Sequence, residues 1–184
     1  MRLIARAWPK GPRRHCAGAH TMLPPDSHQA RIGTPFAVLG IRTVGETLLA
    51  IDYLPRGAAT LAPITRGAER VCRQIERYLD DPAFRFDLPF EYRGTEFQCR
   101  VWREIHAIPA GSTATYAGIA RRLGSAPRPV GGACGANRIP IVIPCHRVLA
   151  SNGLGGFMHA RKGFPLDVKR WLLRHEGAAI GDQR

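Results

Sequence analysis

Nowhere in its 184 residues does the chain hold the roughly 20 consecutive apolar residues of a membrane helix. A helical membrane crossing is therefore not expected. The N-terminus also lacks a secretory apolar core, because arginine and proline interrupt each short apolar run. Cysteine is sparse and unpatterned. Its five residues, Cys16, Cys72, Cys99, Cys134 and Cys145, are odd in number and form no C-x-x-C pair. That argues against a disulfide framework and for free thiols in a reducing compartment, so a cytoplasmic location is expected.

Acids are the other shortage: 14 Asp and Glu stand against 27 Lys and Arg, a net charge of +13. The deficit is local. Residues 33–90 carry seven Arg and seven acids, whereas residues 91–184 carry fourteen bases and six acids. Between Arg121 and Arg174 there are ten bases and one acid, Asp167. A basic half beside a neutral half suits a polyanion surface, most simply nucleic acid. A solvated arginine-rich surface is the alternative reading. A hydrophobic content of 45% suffices for one or two small cores.

Residues 1–32 are rich in Arg, Pro, Gly and His without periodicity and read as a disordered extension. His15, Cys16, His20 and His28 are metal-ligand types, but their spacing matches no zinc pattern and no metal is assigned. Phe36–Ile41 and Thr47–Tyr53 read as strands joined by a turn at Val44-Gly45. Over 65–80, Ala68, Val71, Cys72, Ile75, Tyr78 and Leu79 recur at helical spacing. Residues 87–93 read as a linker. Thr95 and Gln98 then have capping-box spacing ahead of a helical stripe of Phe97, Val101, Ile105 and Ile108. Thr115 caps a shorter helix, and a third runs from about Pro129 to Asn137. Its Gly131, Gly132, Ala133, Gly135 and Ala136 make a poor intrinsic helix. Such small residues serve close approach, equally to a nucleic-acid groove in a helix-turn-helix or to another helix. A last helix is expected from Asp167 to Gly177. The fold expected is α/β: a small N-terminal antiparallel sheet-plus-helix domain (33–90), then a mainly helical, winged-helix-like helix-turn-helix domain (91–178) and a short tail (179–184).

The stretch that carries chemistry is Asn137-Arg-Ile-Pro-Ile-Val-Ile-Pro-Cys-His-Arg-Val148. The run Ile141–Ile143 reads as a buried strand, and Pro144 ends it. Cys145 is thereby delivered at a rigid strand end beside His146. A thiol attacks as thiolate, and an imidazole can take its proton directly or through one water. Glu176 is a candidate to orient that imidazole. A small buried packing cysteine is the bland reading of a bare Cys-His pair.

Pro-Cys-His-Arg-Val, with the apolar run and Asn137 ahead of it, resembles the active-site signature of the O6-alkylguanine-DNA alkyltransferases, also called methylated-DNA–protein-cysteine methyltransferases. The resemblance extends from about Thr34 to Gly177. It implies irreversible, single-turnover transfer of an alkyl group from O6 of guanine in DNA, with O4 of thymine as a secondary lesion, onto Cys145. His146 would be the base and Glu176 its orienting group, while Asn137 would tie the turn to the active-site segment. Tyr116 would help rotate the nucleotide out and hydrogen-bond the guanine, since a stacked base cannot be reached in line. Arg128 would enter the stack from the minor groove, with Thr115, Ala133, Cys134 and Arg138 completing the DNA face. Pro144, Val148, Phe157 and Met158 would border the pocket. The resemblance implies no cofactor and no metal; the partner would be double-stranded DNA, the protein a monomer without membrane attachment.

The loop after Gly153 departs from the family's pattern. Leu154-Gly-Gly-Phe157 keeps its start, with Phe for the usual Tyr, and Met158–Phe164 looks like an insertion. That insertion is expected to be mobile and basic, with Phe157, Met158 and Phe164 folding in to narrow the pocket. Two rivals remain: a non-catalytic binder of alkylated DNA, and a Cys-His hydrolase, for which no oxyanion hole is identifiable.

Overall fold

The computed structural model describes residues 28–179. Its first half is a three-stranded antiparallel meander, β1 (Ala30–Gly33), β2 (Val38–Val44) and β3 (Thr47–Leu54), in that order. β1 lies mostly inside the stretch expected to be an extension. Four residues around Arg31 give too short a pattern to read, yet Ala30 is fully buried. Helix α1 (Arg66–Asp80) lies on the sheet, and the Thr65 hydroxyl caps it by accepting from Ala68 N. Its buried stripe, Val71, Cys72, Ile75 and Tyr78, is the one read from periodicity. Each such aliphatic side chain gains roughly 1.5–3 kcal/mol from full burial. The segment that follows is not an open linker: Leu88, Phe90 and Tyr92 are buried, and Leu48 N donates to Pro89 O.

The second half begins with helix α2 (Glu96–His106), whose Thr95 and Gln98 form both bonds of a capping box. Strand β4 (Ala114–Thr115) leads into α3 (Tyr116–Arg122), capped by the Thr115 side chain, and α4 (Pro127–Gly135) follows. Helix α4 starts two residues earlier than expected, because proline is well placed in a first turn. Arg128 is thus in that turn rather than ahead of it. Trp102 Nε1 donates to Ala133 O at 2.8 Å and locks α2 against α4.

Ile141–Ile143 is not a strand. It is a buried turn bridged between Pro140 and Ile143, with Ile141 at φ 71°. That left-handed conformation is unusual for a β-branched residue. Asn137 supplies what a ladder would have supplied: its Nδ2 donates to Ile143 O (2.8 Å), and its Oδ1 accepts from Ile139 N (3.1 Å). A single 3-10 turn, Cys145–Arg147, then passes into β5 (Val148–Leu149), which pairs in parallel with β4. The last helix, α5 (Phe164–His175), begins three residues before the expected start.

The two halves interlock. Ile51 N donates to Arg138 O at 2.8 Å, Phe36 packs on Trp171 with ring centroids 4.7 Å apart, and Tyr53 packs on Phe157 at 5.9 Å. Among the described residues no helix is long and apolar enough to cross a membrane. Cys72, Cys134 and Cys145 are free thiols, whereas Cys99 is disulfide-bonded, so the expectation of free thiols does not extend to it.

Candidate active site

Cys145 is 6% exposed and His146 is fully buried. Asn137 Nδ2 lies 3.3 Å from Cys145 Sγ, so the amide that ties the turn also reaches the sulfur. His146 Nε2 is 2.9 Å from Glu176 Oε1. Thirty residues of sequence separate this pair, and α5 closes the gap by placing Glu176 at its C-cap. The same Oε1 accepts from Tyr78 Oη (2.7 Å) and Arg147 Nη2 (2.8 Å), while Oε2 accepts from Arg147 Nε (2.8 Å). Arg147 Nη1 also donates to Ile108 O. Arg147, expected to be structural, is therefore a bidentate clamp on the carboxylate.

Burial alone would raise the Glu176 pKa, but the hydrogen bonds and charges of His146 and Arg147 outweigh it and hold the carboxyl at about 2. The carboxylate is thus ionised at neutral pH and fixes the proton of His146 on Nε2. Nδ1 is left as the acceptor. Burial lowers the His146 pKa, with Glu176 pulling the other way, so the resting imidazole is neutral. Burial likewise pushes the Cys145 thiol up, against the Asn137 bond and the charge of Lys169. A neutral thiol beside a neutral imidazole, backed by a carboxylate, is a nucleophile that ionises on demand. No direct Cys145–His146 hydrogen bond forms, which leaves the one-water route of the two expected.

Cys145 opens on a cleft of about 1280 Å³ that runs between α4, the 150–161 loop and α5. Arg128, Arg161, Arg170 and Arg174 line it, and no acidic side chain does. Of the residues expected to face DNA, Arg128 and Cys134 reach the cleft and Thr115 is exposed outside it. Ala133 is buried against α2. Arg138 is exposed beside Tyr92 and Leu49, on the seam between the two halves. The expected closeness of α4 to a partner is sharpened by Gly131 and Gly132. A side chain at either would meet nothing within 4 Å, so internal packing does not require their smallness.

Tyr116 Oη donates to Gly156 O at 3.0 Å, which turns the hydroxyl toward the cleft loop. Pro144 is buried behind Cys145. Val148 is fully buried, and its N–H returns to Cys145 O. Phe157 and Met158 line the cleft, but Phe157 belongs to the core, and Met158 and Phe164 pack against it. These apolar groups therefore do not fill the cavity, and the expected narrowing is not seen. The inserted loop is also built rather than loose. Phe157 and Ala160 exchange backbone bonds of 2.9 Å across Met158 (φ 51°) and His159 (φ 60°). Two left-handed residues inside such a bridge make a hairpin turn of the primed kind. His159 comes to rest where any side chain at Gly135 would stand.

Sequence reasoning missed two participants. Tyr78 was placed on an apolar stripe, and nothing local announces that its hydroxyl serves Glu176. Lys169 is fully buried, and its Nζ donates to the carbonyls of Val148 (2.6 Å), Leu154 (2.6 Å) and Gly156 (3.1 Å). Burial lowers its pKa to about 8, with Cys145 and Cys134 opposing. A lysine in the inward stripe of α5 was the available signal. His28 has both ring nitrogens engaged, by Asp52 (2.9 Å) and Arg31 (3.3 Å). His15, Cys16 and His20 lie outside the described residues. Among the described residues no group of three His, Cys, Asp or Glu is placed to hold a metal.

Comparison with known proteins agrees with this geometry. Residues 96–178 match the family described as "6-O-methylguanine DNA methyltransferase, DNA binding domain". A methylated-DNA–protein-cysteine methyltransferase of Candida albicans is 36% identical over 72% of this chain and 77% of its own length. One from Metallosphaera sedula is 31% identical over 82% of this chain and 95% of its own. The crystal structure of Mycobacterium tuberculosis OGT in complex with DNA superposes with a TM-score of 0.68 at 33% identity, covering 80% of this chain and 91% of that one. By its sequence, its architecture and the cysteine at the floor of its basic cleft, the chain belongs to the methylated-DNA–protein-cysteine methyltransferase family.

Proposed function

We propose that the chain repairs DNA by moving an alkyl group from O6 of guanine onto Cys145 Sγ, once per molecule. The observation that carries this reading is the buried Cys145–His146–Glu176 line, opening on a cleft edged by the arginine-bearing helix α4. His146 Nδ1 takes the thiol proton through a water, and the carboxylate of Glu176 stabilises the imidazolium. Sulfur attacks the alkyl carbon, the carbon–oxygen bond breaks, and its electron pair remains on the guanine. The product thioether has no route back. Tyr116, now bonded to Gly156 O, turns its hydroxyl to the guanine ring as the base enters and offsets the charge developing there. Asn137 holds the sulfur in line.

The lesion reaches this buried sulfur only when rotated out of the duplex. Arg128, exposed at the first turn of α4, fills the space left in the stack. The open Gly131 and Gly132 let that helix lie close in the groove. Residues 33–90 and 91–178 are the two domains, the protein acts as a monomer on double-stranded DNA in the cytoplasm, and O4 of thymine is a secondary lesion. Ala133 is left out of the DNA face by its burial. The test is incubation with duplex DNA containing O6-methylguanine, followed by mass spectrometry of the Cys145 peptide. One added methylene on that peptide is expected; an unmodified peptide with retained DNA binding would mark a lesion sensor instead.

A further inference from the structure

Among the described residues, two buried side-chain polar atoms have no hydrogen-bond partner: His146 Nδ1 and the hydroxyl of Tyr53. A buried polar atom left unpaired costs about 1–3 kcal/mol, and native interiors usually meet such atoms with a protein group or an ordered water. The two atoms are far apart in sequence but not in the fold. β3 is pinned to the start of the active-site segment by the bond from Ile51 N to Arg138 O. Tyr53 lies two residues further on, with its side chain on the same face of the strand. Its ring packs on Phe36 (6.3 Å) and on Phe157, the aromatic that lines the cleft with Cys145. The phenol therefore sits beneath the active-site segment, between Arg138 and Phe157. Its electrostatic partners are Cys145 and Tyr78. Those two flank His146, one as its chain neighbour and the other through Glu176 Oε1.

From this geometry we infer that Tyr53 is a positioning residue: its hydroxyl and His146 Nδ1 hold between them the water that carries the proton away from Cys145. The inference rests on the alkyl-transfer reading and adds to it a group from the N-terminal half. The proton bookkeeping is simple. Nε2 carries the imidazole proton toward Glu176, so Nδ1 accepts from the water. Tyr53 O–H donates to one lone pair of the water, and the other is left for the thiol proton. The water's own protons are thereby turned away from the sulfur, one of them onto Nδ1. When Cys145 ionises, its proton passes to the water and the water's proton to Nδ1. The other charged or titratable groups around this site are Lys169 on α5, Cys134 on α4 and Tyr116 on α3. Arg147 and Glu176 stand behind His146. None of these supplies the missing donor to the water.

Tyr53→Phe tests this, because it removes one oxygen and keeps the packing. The assay is the rate of Cys145 modification by iodoacetamide as a function of pH, read peptide by peptide, in the full-length protein. Iodoacetamide needs neither DNA nor a flipped base, so the outcome is separate from whether alkyl transfer itself occurs. Loss of the bond should slow Cys145 at neutral pH by about fivefold and move the inflection of the profile to higher pH. In a His146→Phe background the same change should do nothing further, since both act through one water. An unchanged rate overturns the inference, and a raised Tm alongside it would show the hydroxyl to be an unpaired cost. Equal slowing at every pH with a lowered Tm would make Tyr53 a packing residue and equally overturn it.

Discussion

Replacing Glu176 by Gln should cost the protein a stability increment that depends on pH in a specified way. The carboxylate accepts four hydrogen bonds, from Tyr78, His146 and twice from Arg147, and its pKa falls from an ordinary 4.5 to about 2. A carboxyl depressed on folding contributes stability that is complete above its unfolded pKa and disappears as pH falls toward the folded one. The fall corresponds to about 3 kcal/mol, in line with the roughly 3–5 kcal/mol lost when one partner of a buried ion pair is removed. Arg147, only 11% exposed, would be the charge left behind. Urea denaturation of wild type and Glu176→Gln should therefore differ by about 3 kcal/mol near neutrality, and by under about 1 kcal/mol near pH 2.5. The remaining carboxylates titrate in both proteins and cancel in the difference. A gap that stays constant over that range would refute the reasoning, because it would mean that the lost interaction is packing and not charge.

Cys145→Ser should abolish transfer from O6-methylguanine DNA while leaving DNA affinity within about threefold, measured by mass spectrometry and by fluorescence anisotropy; methyl appearing on Cys134 would contradict the assignment. Arg128→Ala should slow repair in duplex DNA at least about tenfold more than reaction with free O6-benzylguanine, which needs no flipping, in parallel single-turnover assays. Gly132→Leu should change Tm little, since nothing packs there, yet weaken DNA binding by about tenfold or more in a titration against a short duplex; unaltered affinity would remove α4 from the groove. Replacing Met158–Phe164 by two glycines should unseat His159 from Gly135 and change the ratio of benzyl to methyl transfer rates; an unchanged ratio would leave the loop without a part in selecting the alkyl group.

Local chemistry made much of this fold legible in advance. The Thr95–Gln98 box, the Thr115 cap and the stripe of α1 each depend on residues within a few positions of one another, and each stands where the pattern put it. Errors arose where a local signal had a distant competitor. Ile141–Ile143 has the composition of a strand, but Asn137 satisfies its backbone from the side and leaves it as a buried turn. Met158 and His159 carry no turn chemistry, yet both are left-handed, so a mobile loop was expected where a tight hairpin stands. At the site, Cys145, His146 and Glu176 could be named from the motif. The tyrosine and arginine that hold Glu176, and the lysine beneath the cleft loop, could not. A hydroxyl 98 residues away from its acceptor leaves no trace in periodicity.

The bond from Tyr78 to Glu176 sets a limit on how this protein can be recombined. Tyr78 belongs to α1, in the sheet-bearing half, and His175 Nε2 lies 2.8 Å from the carbonyl of the same tyrosine. A chimera cut anywhere between 81 and 94 would exchange one donor of the active-site carboxylate along with a half of the molecule that never touches the thiol. Grafts from relatives that place phenylalanine opposite Glu176 should assemble and still bind DNA, but would inherit a carboxylate one hydrogen bond short. Modules of this chain are interchangeable only in pairs that keep that tyrosine.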